Sequence, residues 1–201
     1  MDALTAYLAG LLFSFSLIVA IGAQNAYVLR QGARRRHVKT VIGICAASDV
    51  LLITAGVAGI GTLVKSDPSL LTVIRLLGGG LLLAYAGLAA RRAFQQLELQ
   101  REAEDGQSRR TVIAATLAFT WLNPAVYLDT LVLLGTVASS HPASRWWFGA
   151  GAASASIVWF MALGGAAHLL APLLRRPAAA RALELFVAVV MTVTAVRTLP
   201  I

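Results

Sequence analysis

The chain is 201 residues long, with 58% hydrophobic and only 13% charged residues. Soluble domains carry about 25% charged residues, so this composition excludes an ordinary soluble domain and predicts a protein that lies in a lipid bilayer. The net charge of +8 is interpreted as a determinant of membrane orientation and not as a signal for nucleic-acid binding, because basic residues in short loops orient membrane proteins.

Long uncharged or nearly uncharged stretches predict an all-α integral membrane protein with six transmembrane helices. About 20 apolar residues, at a rise of 1.5 Å each, cross the hydrocarbon core. The stretches are residues 3–29, 40–64, 68–90, 111–138, 146–174 and 183–199, of which the last is slightly short. The first is not interpreted as a signal peptide, because Asp2 precedes it and no Lys or Arg does. We predict one membrane domain, with residues 1–94 and 111–201 as halves and a polar cytoplasmic link at about 95–110.

Basic residues are concentrated in the odd-numbered connections, and such residues stay on the cytoplasmic side. Thirteen of the seventeen are found there: Arg30, Arg34, Arg35, Arg36 and Lys39 after the first helix, Arg91, Arg92, Arg101, Arg109 and Arg110 after the third, and Arg175, Arg176 and Arg181 after the fifth. Lys65, Arg145 and Arg197 are near the opposite side. This asymmetry predicts that both termini face outward.

Residues that could hold a metal or a cofactor are few. The single cysteine, Cys45, is inside the second predicted helix and cannot form an internal disulfide. His37, His141 and His168 are too scattered for a recognisable metal site. No cofactor, metal or enzymatic constellation is therefore predicted. Glycine-rich helix faces allow close helix packing and leave a homodimer open.

Two aspartates lie deep inside apolar stretches. Asp49 and Asp129 are each about ten residues from the nearer hydrophilic boundary, or roughly 15 Å, the depth of a bilayer midplane. An ionisable group at that depth costs several kcal/mol, so it usually serves a substrate, an ion or a proton. These are the first candidates for a binding site.

Two polar clusters interrupt the first and fourth predicted helices. Gly22 precedes Gln24 and Asn25 in the first, and Asn123 precedes Pro124 in the fourth. Proline lacks an amide hydrogen and frees a backbone acceptor, so a broken helix facing a cavity is expected. Gln24 is a candidate for substrate binding. The two asparagines either contact the same ligand or join helices by hydrogen bonds worth about 1 kcal/mol. Breaks in the first and fourth of six helices predict two inverted three-helix repeats.

Four strings in chain order resemble the LysE family of bacterial basic amino-acid exporters, of the lysine-exporter and arginine-exporter type. They are GAQNAYVLRQG at 22–32, Ser48-Asp49, TWLNPAVYLD at 120–129 and SASIVWF at 154–160. The resemblance covers nearly the whole chain. The family usually has proline before Gln-Asn, where this chain has Ala23, although Gly22 still permits a bend.

The resemblance implies a secondary active transporter in the bacterial inner membrane, with no enzymatic activity, that exports L-lysine or L-arginine. Asp49 and Asp129 would meet the cationic groups of the substrate, and Arg75 would receive its carboxylate, unless Arg75 instead pairs with an aspartate. An aspartate that alternately holds the substrate cation and a proton would make the protein a proton antiporter with alternating access. The alternative is an exporter of neutral amino acids or of another small cation on the same scaffold.

Overall fold

The architecture is helical throughout the part of the chain that the computed structural model describes, residues 1–19, 22–35, 37–60, 68–94, 108–172 and 176–199. The α-helices are α1 (Ala3–Ile18), α2 (Ala23–Ala33), α3 (Val38–Val57), α4 (Pro68–Phe94), α5 (Arg109–Trp121), α6 (Pro124–Val126), α7 (Gly135–Ser139), α8 (Arg145–Leu170) and α9 (Pro177–Thr198). A π-helix, Tyr127–Leu134, lies between α6 and α7. The predicted all-α class is therefore confirmed for these ranges.

Several of these helices suit a membrane. Three of those described are long and apolar enough to cross one: Val38–Val57, Arg145–Leu169 and Pro177–Arg197. The bent pair of α1 and α2, inclined to each other by 80°, meets the same criteria as a single broken crossing. α4 is also long, with 27 residues, but it carries Arg75, Arg91 and Arg92. These helices fit a multi-pass membrane protein, and the count of six crossings stays a prediction.

Both helix breaks lie where the sequence predicts them. α1 ends at Ile18 and α2 begins at Ala23, with Gly22 as its extended N-cap residue (φ −96°, ψ −173°). In the second half of the chain α5 ends at Trp121, and Pro124 opens α6. Proline is well suited to a first helical position, where its missing amide hydrogen would have had no partner within the helix. The chain at Pro124 therefore stops and restarts its helix.

Local signals explain where two of the described helices begin. The Asp2 carboxylate accepts a hydrogen bond from the Thr5 amide at 2.7 Å, which caps α1 and lowers the pKa of Asp2 below its ordinary value. Ser108 caps α5 in the same way, since its hydroxyl oxygen accepts from the Thr111 amide at 3.2 Å. Both caps precede apolar helices, so they place the helix ends at the polar boundary.

Glycines bring the helices into close contact around the middle of the molecule. α1 packs chiefly on α8, where a methyl group on Gly10 would overlap the Phe148 carbonyl and one on Gly151 would overlap the Tyr7 carbonyl. A methyl group on Gly135 of α7 would likewise overlap the Gly56 carbonyl of α3, by a smaller margin. α9 packs chiefly on α4. α3 lies against α8, α5 and the π-helix, so its polar face meets several other helices.

The helices extend beyond the apolar stretches, and this corrects one prediction. Arg30, predicted in the first cytoplasmic connection, lies within α2 and is fully buried, because α2 continues past this position and places Arg30 against Glu184 of α9. Other basic residues of the predicted connections also lie on helices: Arg91 and Arg92 on α4, Arg109 and Arg110 on α5, and Arg181 on α9. Arg36, Lys65, Arg101, Arg175 and residues 95–107 of the predicted link lie outside the described residues.

Candidate functional site

A cavity of about 520 Å³ lies beside the two helix breaks. Segments from α1, α2, α3, α4, the π-helix and α9 form its wall. Its polar and charged lining residues are Ser14, Gln24, Asn25, Asp49, Arg75, Asn123, Asp129, Thr130, Thr194 and Arg197. All six residues predicted to bind substrate are among them, as is Gly22. A volume between roughly 300 and 1,000 Å³ is usual for small-molecule sites.

Asp49 is the most enclosed carboxylate of the cavity. It lies on α3 and is 7% exposed, and the Ser156 hydroxyl of α8 donates to its Oδ2 atom at 2.7 Å. It forms no ion pair within the described part of the chain. The Gln24 amide also lies near this carboxylate, outside hydrogen-bond geometry. Because both neighbours are neutral, Asp49 can take a cation or a proton from the cavity.

Asp129 lies on the π-helix and is half-buried. Among the residues the structure describes, it has neither a hydrogen bond nor an ion pair. π-Helical turns are rare and occur frequently at functional sites, because they displace side chains from ordinary α-helical register. Here the wide turn begins directly after α6 and carries Asp129 to the cavity wall.

Gln24 offers a hydrogen-bond donor to the same space. It lies in the first turn of α2 and is 9% exposed, and its Nε2 atom has no hydrogen-bond partner in the described ranges. A buried donor that lacks a partner costs about 1–3 kcal/mol. A polar ligand in the cavity would remove that cost.

The two asparagines make structural hydrogen bonds as well as lining the cavity. The Asn25 side chain donates to the Ile18 carbonyl at 2.8 Å and accepts from the Trp159 indole at 3.2 Å. Asn123 accepts from the Ala125 amide at 3.2 Å. The alternative predicted for them, hydrogen bonds that join helices, is observed for Asn25, whereas the bond of Asn123 reaches only two residues along the chain. It leaves ligand contact open, since both border the cavity.

Arg75 of α4 also reaches the cavity. The alternative prediction paired it with an aspartate, but the ion pairs found in the described residues involve only Arg30, Arg34 and Glu184. Its guanidinium therefore stays accessible to a ligand carboxylate, which it can bind through two parallel hydrogen bonds.

Arg197 is a lining residue that the sequence interpretation missed. It belongs to a stripe on α9 that also includes Val189, Val190, Val193 and Thr194. The stripe has helical spacing and faces the cavity along two turns. A signal existed, because Arg197 is inside the last predicted transmembrane stretch, where a charge is costly. Its nearness to the end of that stretch instead favours a residue of the outer boundary.

A second buried polar cluster was also missed. The Arg30 guanidinium donates through Nε to Glu184 Oε1 at 2.8 Å, and both side chains are almost completely buried. Glu184 is at the start of the last predicted transmembrane stretch, where a charged residue is expected at the boundary of the membrane. The two residues are 154 positions apart, and a single sequence shows no such pairing.

Comparison with known proteins places this architecture in a family. The family model of the LysE type translocator matches residues 15–200. The chain belongs to the LysE family. No solved structure matches the chain significantly.

Several relatives of the LysE-family chain have names that refer to transport. It is 45% identical over 181 residues to "Putative amino-acid transporter Rv0488" of Mycobacterium tuberculosis, with 90% of each chain covered. It is 43% identical to the arginine exporter protein ArgO of Serratia proteamaculans, covering 94% of this chain and 93% of the relative. It is 35% identical to the lysine exporter LysE of Corynebacterium diphtheriae, covering 94% of this chain and 96% of the relative.

Membership in the LysE family and the apolar helices together identify a multi-pass membrane transporter, not an enzyme.

Proposed function

We propose that this protein exports basic amino acids, L-lysine, L-arginine or both, from the cytoplasm across the bacterial inner membrane. The observation that carries the proposal is that Asp49, Asp129 and Arg75 all line one cavity. A basic amino acid has two cationic groups and one carboxylate. The two aspartates would each bind a cationic group, Arg75 would bind the carboxylate, and the Gln24 amide would donate a hydrogen bond.

We further propose that transport is proton antiport with alternating access through six transmembrane helices, arranged as two inverted repeats with both termini outside. The breaks after α1 and α5 support this arrangement, because transporter sites are commonly built where discontinuous helices meet. The proton carrier would be Asp49 or Asp129. Both are carboxylates that no basic side chain of the described residues neutralises.

Export of neutral amino acids is the second candidate, and Arg197 favours it. With Arg197 the cavity has two basic and two acidic side chains, a balance that suits a zwitterion as well as a cation. Competition between lysine, arginine, threonine and metal ions distinguishes the candidates. The basic amino-acid proposal requires lysine or arginine to compete at least about tenfold better than threonine, a difference of roughly 1.4 kcal/mol.

The test is efflux of radiolabelled lysine and arginine from proteoliposomes. We expect Asp49→Asn and Asp129→Asn each to lower efflux severely, whereas Asp2→Asn, which alters an exposed carboxylate, serves as the matched control. Unchanged efflux in both cavity variants would refute the assigned site. An Arg75→Gln variant with normal substrate affinity would remove Arg75 from it.

A further inference from the structure

The buried ion pair of Arg30 and Glu184 connects two groups of helices. Arg30 is on α2, which packs against α8, and Glu184 is on α9, which packs chiefly on α4. Arg34, one turn further along α2, approaches the same carboxylate oxygen at 3.5 Å. Arg30 also donates to the Tyr85 hydroxyl of α4. These polar contacts lie beside a buried apolar core to which α2, α4 and α9 all contribute side chains.

The ion pair is incompletely satisfied. Arg30 Nη2 and Glu184 Oε2 are buried, and neither has a hydrogen-bond partner among the residues described. Burying an ion pair is expensive unless all of its polar atoms are satisfied, so such a pair is weak evidence for stability. Water entering this region would hydrate both charges. A closed, dry state and an open, hydrated state can therefore be close in free energy.

The position of the pair relative to the cavity is given by α2. Gln24, at the start of α2, lines the cavity, and Arg30 follows six residues later, about 9 Å along the helix. Between these levels three aromatic rings are in contact. The Tyr27 and Phe119 centroids are 4.9 Å apart, and those of Tyr85 and Phe119 are 4.7 Å apart. None of these rings lines the cavity, so along α2 the buried ring at Tyr27 separates Gln24 at the cavity from Arg30 in the ion pair.

We propose that the Arg30–Glu184 ion pair is a gate that closes the transport path at the α2 C-terminal end and separates when this end opens. The proposal rests on the proposed function, since a gate presupposes that substrate passes through the cavity. Arg30 and Glu184 act by positioning helices, because neither lines the cavity. Because α3 packs on α8, it belongs to the same group as α2. Substrate bound between Asp49 of α3 and Arg75 of α4 would draw the two helix groups together at the cavity, while the ion pair holds them together at the C-terminal end of α2.

Cys45 provides a native reporter for the gate. It is the single cysteine of the chain, is fully buried, and is one helical turn from Asp49 toward the α2 C-terminal end. The experiment measures labelling of Cys45 by a membrane-impermeant maleimide, applied separately to each side of oriented membrane vesicles that contain the full chain without substrate.

We expect slow labelling of the unmodified protein from the α2 C-terminal side. In Glu184→Gln and in Arg30→Gln we expect labelling from that side to rise about tenfold or more, because the open state of such a two-state protein is populated at about 0.1–10% before the change. The exchange of charges, Arg30→Glu with Glu184→Arg, should restore protection. Asp2→Asn and Arg109→Gln alter exposed charges and should label like the unmodified protein.

Unchanged labelling in both single variants would overturn the proposal, as would equal labelling from both sides in the single variants. Variants that fail to fold are recognised by the loss of a cooperative thermal transition, and the charge exchange then decides: a folded exchange variant without protection also overturns the gate. The labelling requires no transport, so a protein that moved no amino acid would refute the proposed function without altering this result.

Discussion

A single hydroxyl group supports the most buried carboxylate of the cavity. Ser156 donates to Asp49 at 2.7 Å, whereas Ser154, two residues earlier on α8, bonds the Ala150 carbonyl of its own helix. The two serines thus share a helix and differ in partner. This difference separates a role in the site from a role in helix structure.

We predict that Ser156→Ala weakens substrate binding. A hydrogen bond to a charged group contributes about 1.5–3 kcal/mol, so the affinity for lysine or arginine should fall roughly 10- to 100-fold if Asp49 binds the substrate as a carboxylate. Equilibrium binding of radiolabelled substrate to purified protein measures this. Ser154→Ala, the matched control, should bind normally. Equal affinity in the Ser156 variant and the unmodified protein would contradict the prediction.

At the residue scale, the sequence predicted those site residues that are charged and lie within a long apolar stretch. Asp49 and Asp129 were found because charges in long apolar stretches are costly, and the structure places both at one cavity. Arg30, Glu184 and Arg197 were not found, because each is near the end of an apolar stretch and had an adequate explanation as a boundary residue. Their partners and surroundings depend on helix packing, which one sequence does not contain.

At the scale of elements, the same kind of hydrogen bond stabilises the two helix breaks. After each break, a side chain of the following segment bonds a carbonyl of the preceding one: Asn25 bonds Ile18 at 2.8 Å, and the Tyr127 hydroxyl donates to Trp121 at 2.6 Å. In lipid, every backbone polar group needs a partner. The polar residues near the breaks therefore stabilise the interruptions.

The sequence predicted these interruptions from Gly22 and Pro124 but not the π-helix that follows the second. A π-helix differs from an α-helix only in bonding each residue to one five positions away, and no residue type in Tyr127–Leu134 requires that choice. Packing decides it. The consequence is that Asp129 could be singled out from the sequence, whereas the direction of its side chain could not be predicted.

We predict that Gly151→Ala destabilises the protein and Gly165→Ala does not. Both glycines are on α8, but a methyl group at Gly151 would overlap the Tyr7 carbonyl, whereas the space beside Gly165 is open. Overpacking at a close contact typically costs about 1–3 kcal/mol. Thermal unfolding of the purified variants in detergent tests the difference, and equal melting temperatures would contradict the close contact between α1 and α8.

At the scale of the whole molecule, the membrane potential constrains the transport mechanism. Moving one positive charge outward against about 150 mV costs roughly 3.5 kcal/mol. With both aspartates ionised, the two acidic and two basic cavity residues balance, so either a proton or a lysine would give the site one positive charge. A one-for-one exchange of these cations would move no net charge.

We predict that imposed pH gradients drive transport and that membrane potential has little effect. For a one-for-one exchange, one pH unit corresponds to about 1.4 kcal/mol, or a tenfold ratio of substrate across the membrane. Proteoliposomes with separately controlled pH gradient and potassium diffusion potential provide the measurement. A transport rate independent of the pH gradient would exclude proton coupling. A rate that depended strongly on membrane potential alone would indicate uniport.

Membrane residence was predictable for the whole chain, because it follows from composition. The number of crossings was less accessible. Length and composition of the described helices account for three crossings, or four with the bent pair, while α4 combines a sufficient length with three arginines and the fourth predicted helix is divided into shorter segments. These two predicted spans contain the charges and interruptions expected of a transport path, and for that reason they resemble ordinary membrane helices least.

The contact between Gly10 and Phe148 has a consequence for biosynthesis. The two residues are 138 positions apart, and ribosomes add about 5–20 residues per second, so α1 exists for roughly 7–28 s before its contact surface on α8 has been made. During this interval α1 must persist without that partner. The exposed side chains of Leu4, Leu8 and Leu12 are compatible with a helix surrounded by lipid. The surface around Gly10, which later contacts α8, would be covered by acyl chains until the fifth predicted span is inserted and displaces them.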